Sequence, residues 1–317
     1  MSLSWASNFA LHTGDYEKAR TLDRQAAEVA QALGSEAVVA RGKVSTGNLY
    51  LQAGLLDDAR PYYQDAISWA ERRSPDYLPV PLVNLVLIDG WAGRYADVEE
   101  RIVELLGAAE TTSNTELVGW ALVGQTLMLT HQGEFEQAYE VGVDALARVR
   151  SSGQKTIEVW CLAALAVCHI DRHDIESTRT YLTQAEAVAR DLGRGSEDFL
   201  LRDAHAMLAL AEGDLGEALR HWIIWAEIEA SRGGAMGLAF LTASAACAVA
   251  DDAPDAAATL LAVSRLQLAR SGAVYPVPLA RDVASLDAVL RDVEIENGDL
   301  SHEDVVALLR DLSDRLS

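Results

Sequence analysis

A short string recurs along this chain at a nearly constant interval, and that recurrence restricts the fold more than any other feature. Gly14-Asp15-Tyr16-Glu17-Lys18-Ala19 returns as Gly54-Leu55-Leu56-Asp57-Asp58-Ala59, then as Gly93-Arg94-Tyr95-Ala96-Asp97-Val98 and Gly133-Glu134-Phe135-Glu136-Gln137-Ala138. A degenerate copy, His173-Asp174-Ile175-Glu176-Ser177-Thr178, is followed by Gly213-Asp214-Leu215-Gly216-Glu217-Ala218 and Asp252-Ala253-Pro254-Asp255-Ala256-Ala257. The copies start at 14, 54, 93, 133, 173, 213 and 252, so each interval is 39 or 40 residues. A fixed period of this length marks a stack of like units that bury a continuous core only through their neighbours.

Each place in the string has a physical task. The glycine, or its polar substitute, ends a helix in the left-handed conformation that costs glycine little. The acidic residue behind it suits the first turn of the next helix, where it faces the partial positive charge of the free amides. The third place anchors that helix with an aromatic or aliphatic side chain. The sixth is small and lets two helices approach closely. Between copies the apolar period is helical, as in Leu22, Ala26, Val29, Ala30 and Leu33. The chain therefore reads as all-α: about seven helical hairpins, with turns near 14, 54, 93, 133, 173, 213 and 252, over residues 1–274. Closing helices are expected over 275–317.

These units resemble the tetratricopeptide repeat. Gly47, Tyr50, Gly54, Ala59, Tyr63 and Ala66 match the small, aromatic and turn places of that family with its spacing. Units of 39–40 residues exceed the usual 34 and resemble the repeat region of the bacterial maltose-operon activator. They also resemble those of large LuxR-type and antibiotic-regulatory ATPases. The segments Asp255-Ala256-Ala257-Ala258-Thr259-Leu260-Leu261 and Gly272-Ala273-Val274-Tyr275-Pro276-Val277-Pro278 are similar to the closing region of actinobacterial members, as is Gly298-Asp299-Leu300-Ser301-His302-Glu303. The resemblance implies a right-handed superhelix whose concave face binds proteins, peptides or a small effector. Such regulators carry a phosphate-binding loop and a DNA-binding module, and this sequence holds no GxxxxGK[ST] or GxGxxG string. Either it is a dissected sensor region or it is a free-standing relative; the alternatives are a free-standing protein–protein interaction scaffold or a peptide-pheromone receptor lacking its effector domain.

Composition narrows the function. Lys+Arg 26 against Asp+Glu 48 leaves a net charge of -22, which opposes direct binding to a nucleic-acid backbone. Half of the 317 residues are hydrophobic and the mean hydropathy is +0.05, far from a disordered composition. Three cysteines cannot build a disulfide framework here, which points to the cytoplasm. Met1 to Ala10 lacks the features of a signal peptide. The uncharged run Gly233 to Ala250 is rich in Gly, Ala, Ser and Thr, so it reads as a tightly packed helix and not as a membrane span.

Nothing in the sequence carries catalysis, a cofactor or a metal. His169 and His173 are four apart but occupy the large-aromatic and turn places of their unit. Cys161, Cys168 and Cys247 read as small core residues, and no GxSxG or HExxH string exists. The resemblance, by contrast, singles out a groove. Transferring the family's inward places by the turn glycines puts Trp120 and Trp160 at one inward position of successive units. Trp91, His131 and Asp171 share another, while Asn48, Gln52, Asp203 and Met207 fall on the same face to either side. Such a groove suits an aromatic ligand or an anchored peptide side chain. The alternative is that longer helices turn these residues into packing between repeats. Trp69, Trp222 and Trp225 fall on second helices, where core packing is the default.

Overall fold

The computed structural model describes residues 3, 6–7, 10, 16–74, 77, 79–112, 115–192, 199–290, 293 and 299–316. The Gly14-Asp15 turn and Gly298 lie outside the described residues. Fifteen helices and no strand are found among the described residues. Helix α1 (Tyr16–Leu33) precedes six hairpins: α2 (Glu36–Gln52) with α3 (Leu56–Arg73), α4 (Pro79–Trp91) with α5 (Tyr95–Thr112), and α6 (Thr115–Gln132) with α7 (Phe135–Ser152). They continue as α8 (Lys155–Asp171) with α9 (Ile175–Asp191), α10 (Phe199–Ala211) with α11 (Leu215–Arg232), and α12 (Ala235–Val249) with α13 (Pro254–Ser271). Two further helices, α14 (Val277–Val289) and α15 (His302–Leu316), follow. Every repeated string from 54 onward falls at the bend of a hairpin.

The bends share one hydrogen-bond pattern. Backbone amides of Leu55, Arg94, Glu134, Asp174 and Asp214 each donate to the carbonyl five residues back, at 2.8–2.9 Å. This is the six-to-one bond of a Schellman ending, and it requires a left-handed residue just before the donor. Gly54, Gly93, Gly133 and Gly213 fill that place with φ from 65° to 79°. His173 fills it in the degenerate copy at φ 56°, the only positive-φ non-glycine among the described residues. The carboxylates of Asp174 and Asp214 then cap the next helices, accepting from the amides of Ser177 and Glu217. In the sixth place, Ala19, Ala59, Val98, Ala138, Thr178, Ala218 and Ala257 are all 0% exposed. The third place varies: Leu56 is fully buried, whereas Tyr95, Phe135, Ile175 and Leu215 are half-buried.

First helices pack side by side, in the order α4, α6, α8, α10 and α12, and the second helices lie outside them. Helix α12 is the uncharged run of the sequence, buried along nearly its whole length. No helix among the described residues is long and apolar enough to cross a membrane. A buried carboxylate locks the third unit: Asp89 receives Arg60 from α3 at 3.0 Å, Arg94 at 2.8 Å and Arg101 from α5 at 2.9 Å.

The row of hairpins curls until its seventh unit meets its second and third. The amide of Ala235, at the start of α12, donates to the Ala53 carbonyl at 2.9 Å, and that of Val274, past α13, donates to the Trp91 carbonyl at 2.9 Å. The bend at Gly54 lies against the backbone of Met236, Gly93 against Val274, and Gly133 against the Pro278 ring. Helix α14 continues this seam by packing on α12 and α6, while α15 lies along α11. The array therefore closes around its own inner face.

Candidate functional site

Closure turns the concave face into two adjoining cavities that share Trp91. The larger is about 600 Å³ and lies between the C-terminal halves of α6 and α8 and the length of α10 on one side and α11, α12 and α14 on the other. Trp91, Trp222, Trp225, Phe240 and Met207 supply much of its apolar wall. Its polar groups are few: Thr130, His131, Asp203, Ser244, Asp251 and Asp282 among them. The smaller cavity, about 210 Å³, is bordered by Trp91, Trp120 and Trp160, with Asn48, Gln52 and Glu229 around them.

The two inward positions inferred from the repeat register converge. Trp120 and Trp160, one unit apart, meet edge to face with ring centroids 5.6 Å apart and planes at 78°. Trp91 and His131 line the large cavity together with Asp203 and Met207, and Asn48 and Gln52 line the small one. Asn48 is partly engaged already, since its Oδ1 accepts the Tyr63 hydroxyl at 2.6 Å. Asp171 is the exception: it holds the same place before its bend as Trp91 and His131, as the last residue of α8, yet it is exposed and lines neither cavity.

Burial sets the electrostatics. Burial pushes the Asp203 carboxyl up to about 6, opposed by the Trp222 indole turned toward it. It holds the His131 imidazole down at about 4, so this ring is neutral at physiological pH. The Tyr95 hydroxyl meets His131 Nδ1 at 2.9 Å, while His131 Nε2 closes no hydrogen bond. Burial also raises the Glu229 carboxyl, which Arg232 at 3.8 Å and the Trp225 indole N–H at 3.0 Å counteract. The same cause acts on the thiols: burial lifts Cys161 to about 12 and Cys168 and Cys247 to about 11, which disfavours their thiolates. Cys247 is only half-buried and faces the large cavity, so it is a wall residue as well as a packing one.

Register reasoning missed the far wall. Trp222 and Trp225 are buried in the core as expected, at 0% and 1% exposure, yet both also line the large cavity. Phe240 and Asp282 enter from α12 and α14, which reach this space only through closure. Glu229 was legible in principle, since Trp225, Glu229 and Arg232 follow helical spacing on one face. His169 pairs with Asp174 at 3.2 Å, and no cluster able to hold a metal is present among the described residues.

Fold and interior together define a helical-repeat protein with an enclosed inner face. The tetratricopeptide repeat family matches residues 1–77, which span α1 to α3. The all-helical hairpins beyond that stretch keep the same unit, which supports a tetratricopeptide-repeat protein. Such repeats generally mediate protein–protein interaction and typically form non-enzymatic binding scaffolds. No curated protein matches the chain.

Proposed function

We propose that the chain is a non-catalytic binding module that takes its partner into the closed interior of the array. The partner is a small, largely apolar effector, or an anchored side chain of a protein or peptide. The observation that carries this reading is the large cavity: about 600 Å³, walled by aromatic and aliphatic side chains, with a few convergent polar groups. That is the usual make-up of a small-molecule site. The resemblance of the long units and the closing segments supports a role in a bacterial transcriptional regulator of the cytoplasm, as a sensor region or a free-standing relative. The charge of -22 assigns any DNA contact to another module. What tetratricopeptide repeats generally do favours a second reading, a scaffold that joins proteins through its outer surface.

Protein-observed NMR screening of a fragment collection against the chain tests the first reading. Hits are expected to compete with one another and to shift the indole N–H signals of Trp91 and Trp222. Hits that leave both signals unmoved, or an absence of hits beside partners that bind the outer helices, would overturn it in favour of the scaffold.

A further inference from the structure

The large cavity is unbalanced in charge. Asp203, Asp251 and Asp282 line it, and no Lys or Arg does. Its histidine, His131, is neutral at physiological pH. Among the described residues no Lys, Arg or His forms an ion pair with any of the three carboxylates. Asp251 and Asp282 are exposed, and with Val289, 65% exposed on α14, they stand toward the water side. Asp203 stands deeper, on α10 among the packed inner helices. A half-buried carboxylate in an apolar wall with no cation beside it is costly, because little water is present to solvate it. The raised Asp203 carboxyl expresses that cost.

The remaining wall matches a cation in a second way. Trp91 and Phe240 border the same space, with the rings of Trp222 and Trp225 packed close behind them. The faces of such rings attract ammonium groups, by about 0.5–1 kcal/mol at exposed sites and about 2 when desolvated. The Trp222 indole N–H is turned toward the Asp203 carboxyl, and His131 stands against the Val274 backbone. The Trp222 side chain is 0% exposed and that of His131 7%, so water reaches neither freely.

From this geometry we infer that the large cavity takes a small organic cation, an ammonium joined to an aromatic or aliphatic body, with the ammonium at Asp203 and the body among Trp91, Trp222, Trp225 and Phe240. This rests on the cavity being the ligand site, as proposed above, and adds the chemical class of the ligand. Asp251 and Asp282 draw the cation toward the opening, and the apolar wall then desolvates its body. An anion of the same shape meets three carboxylates and no compensating charge, so the site discriminates by repulsion as much as by attraction.

Three probes of one shape separate the contributions: tryptamine, its neutral alcohol tryptophol, and the anion indole-3-acetate, each titrated calorimetrically into the whole chain near neutral pH. Tryptamine is expected to bind about ten-fold tighter than tryptophol or better, and indole-3-acetate more weakly than both. In Asp203→Asn, an isosteric change, the advantage of tryptamine over tryptophol is expected to shrink to within about two-fold while tryptophol binding is kept. Should that variant fail to fold, the order of the three probes on the native chain still decides. Equal affinities would overturn the cation assignment and leave the cavity as an apolar ligand site, as would a preference for the anion. No binding by any of the three would overturn both readings.

Discussion

Closing the array places two glycine bends of identical local geometry in different surroundings, which gives a matched pair of perturbations. Gly54 and Gly213 both hold left-handed φ angles, 65° and 79°. A methyl group on Gly213 would meet nothing within 4 Å, so Gly213→Ala costs only the left-handed strain of an L-residue, about 1–2 kcal/mol. On Gly54 the same methyl would lie 2.6 Å from the Met236 amide nitrogen and 2.9 Å from its Cβ. Helix α12 must then retreat, and the 2.9 Å bond from Ala235 to the Ala53 carbonyl is lost. Overpacking adds about 1–3 kcal/mol and the hydrogen bond about 1 kcal/mol, so Gly54→Ala should exceed its control by roughly 2–4 kcal/mol. Urea unfolding of both variants measures the difference, and hydrogen exchange locates it. The Ala235 amide should lose protection in Gly54→Ala and keep it in Gly213→Ala. Equal losses of stability with unchanged exchange at Ala235 would refute the closure contact and, with it, the enclosed cavity.

Three further outcomes follow from the packing. Asp89→Asn removes the one anion shared by Arg60, Arg94 and Arg101, whose side chains are 19–29% exposed. It should cost about 2–4 kcal/mol in denaturant, reduced from a fully buried pair by that exposure, and a loss below about 0.5 kcal/mol would disprove the lock. On acidification from about pH 6.5 to 4, the unfolded chain takes up protons that the folded chain refuses at His131 and His221, both held near 4. Stability therefore falls across that window, by about 3 kcal/mol through His131 alone, while Asp203 near 6 acts in the opposite sense. His131→Phe should flatten the profile of melting temperature against pH, and an unchanged profile would remove His131 from this account. Trp225→Ala should cost at least the roughly 3–5 kcal/mol of a buried aromatic, since it also strips a hydrogen bond from buried Glu229. Trp120, half-buried at a cavity wall, should cost less and be reached by acrylamide in a single-tryptophan variant. Comparable losses for the two tryptophans would assign Trp120 to packing.

What the sequence discloses here is local, and the reason is physical. A Schellman ending is decided within six residues, so its glycines announce the bends, and even His173 is recognisable by the string around it. The small sixth place is equally legible because close helix approach tolerates only a small side chain there, down to Thr178 and Val98. The third place is less strict, since a half-buried anchor such as Tyr95 or Ile175 need only reach the core edge. The inward register brings Trp91, His131, Asp203 and Met207 to the wall of one cavity, although their helices run from 13 to 18 residues. It does not bring Asp171 there, although Asp171 stands two residues before its bend just as Trp91 and His131 do, so register alone does not decide between wall and water. The far wall was not legible at all. Whether Phe240 faces Trp91 depends on curvature summed over several units, and no single repeat encodes that sum.

The seam from Ala53 to Ala235 and from Trp91 to Val274 also bears on how such a chain can change over time. An open row of repeats can gain or lose a unit by recombination, since each contacts only its neighbours. In this chain a 40-residue insertion or deletion between Gly54 and Gly233 would carry α12 one unit past its landing place. Both seam bonds would break together, and the cavity behind them would open. Divergence is thus channelled into substitution within units, with their number between the second and the seventh held fixed. Lengthening is tolerated only where the seam is not crossed, ahead of α2 or beyond α15.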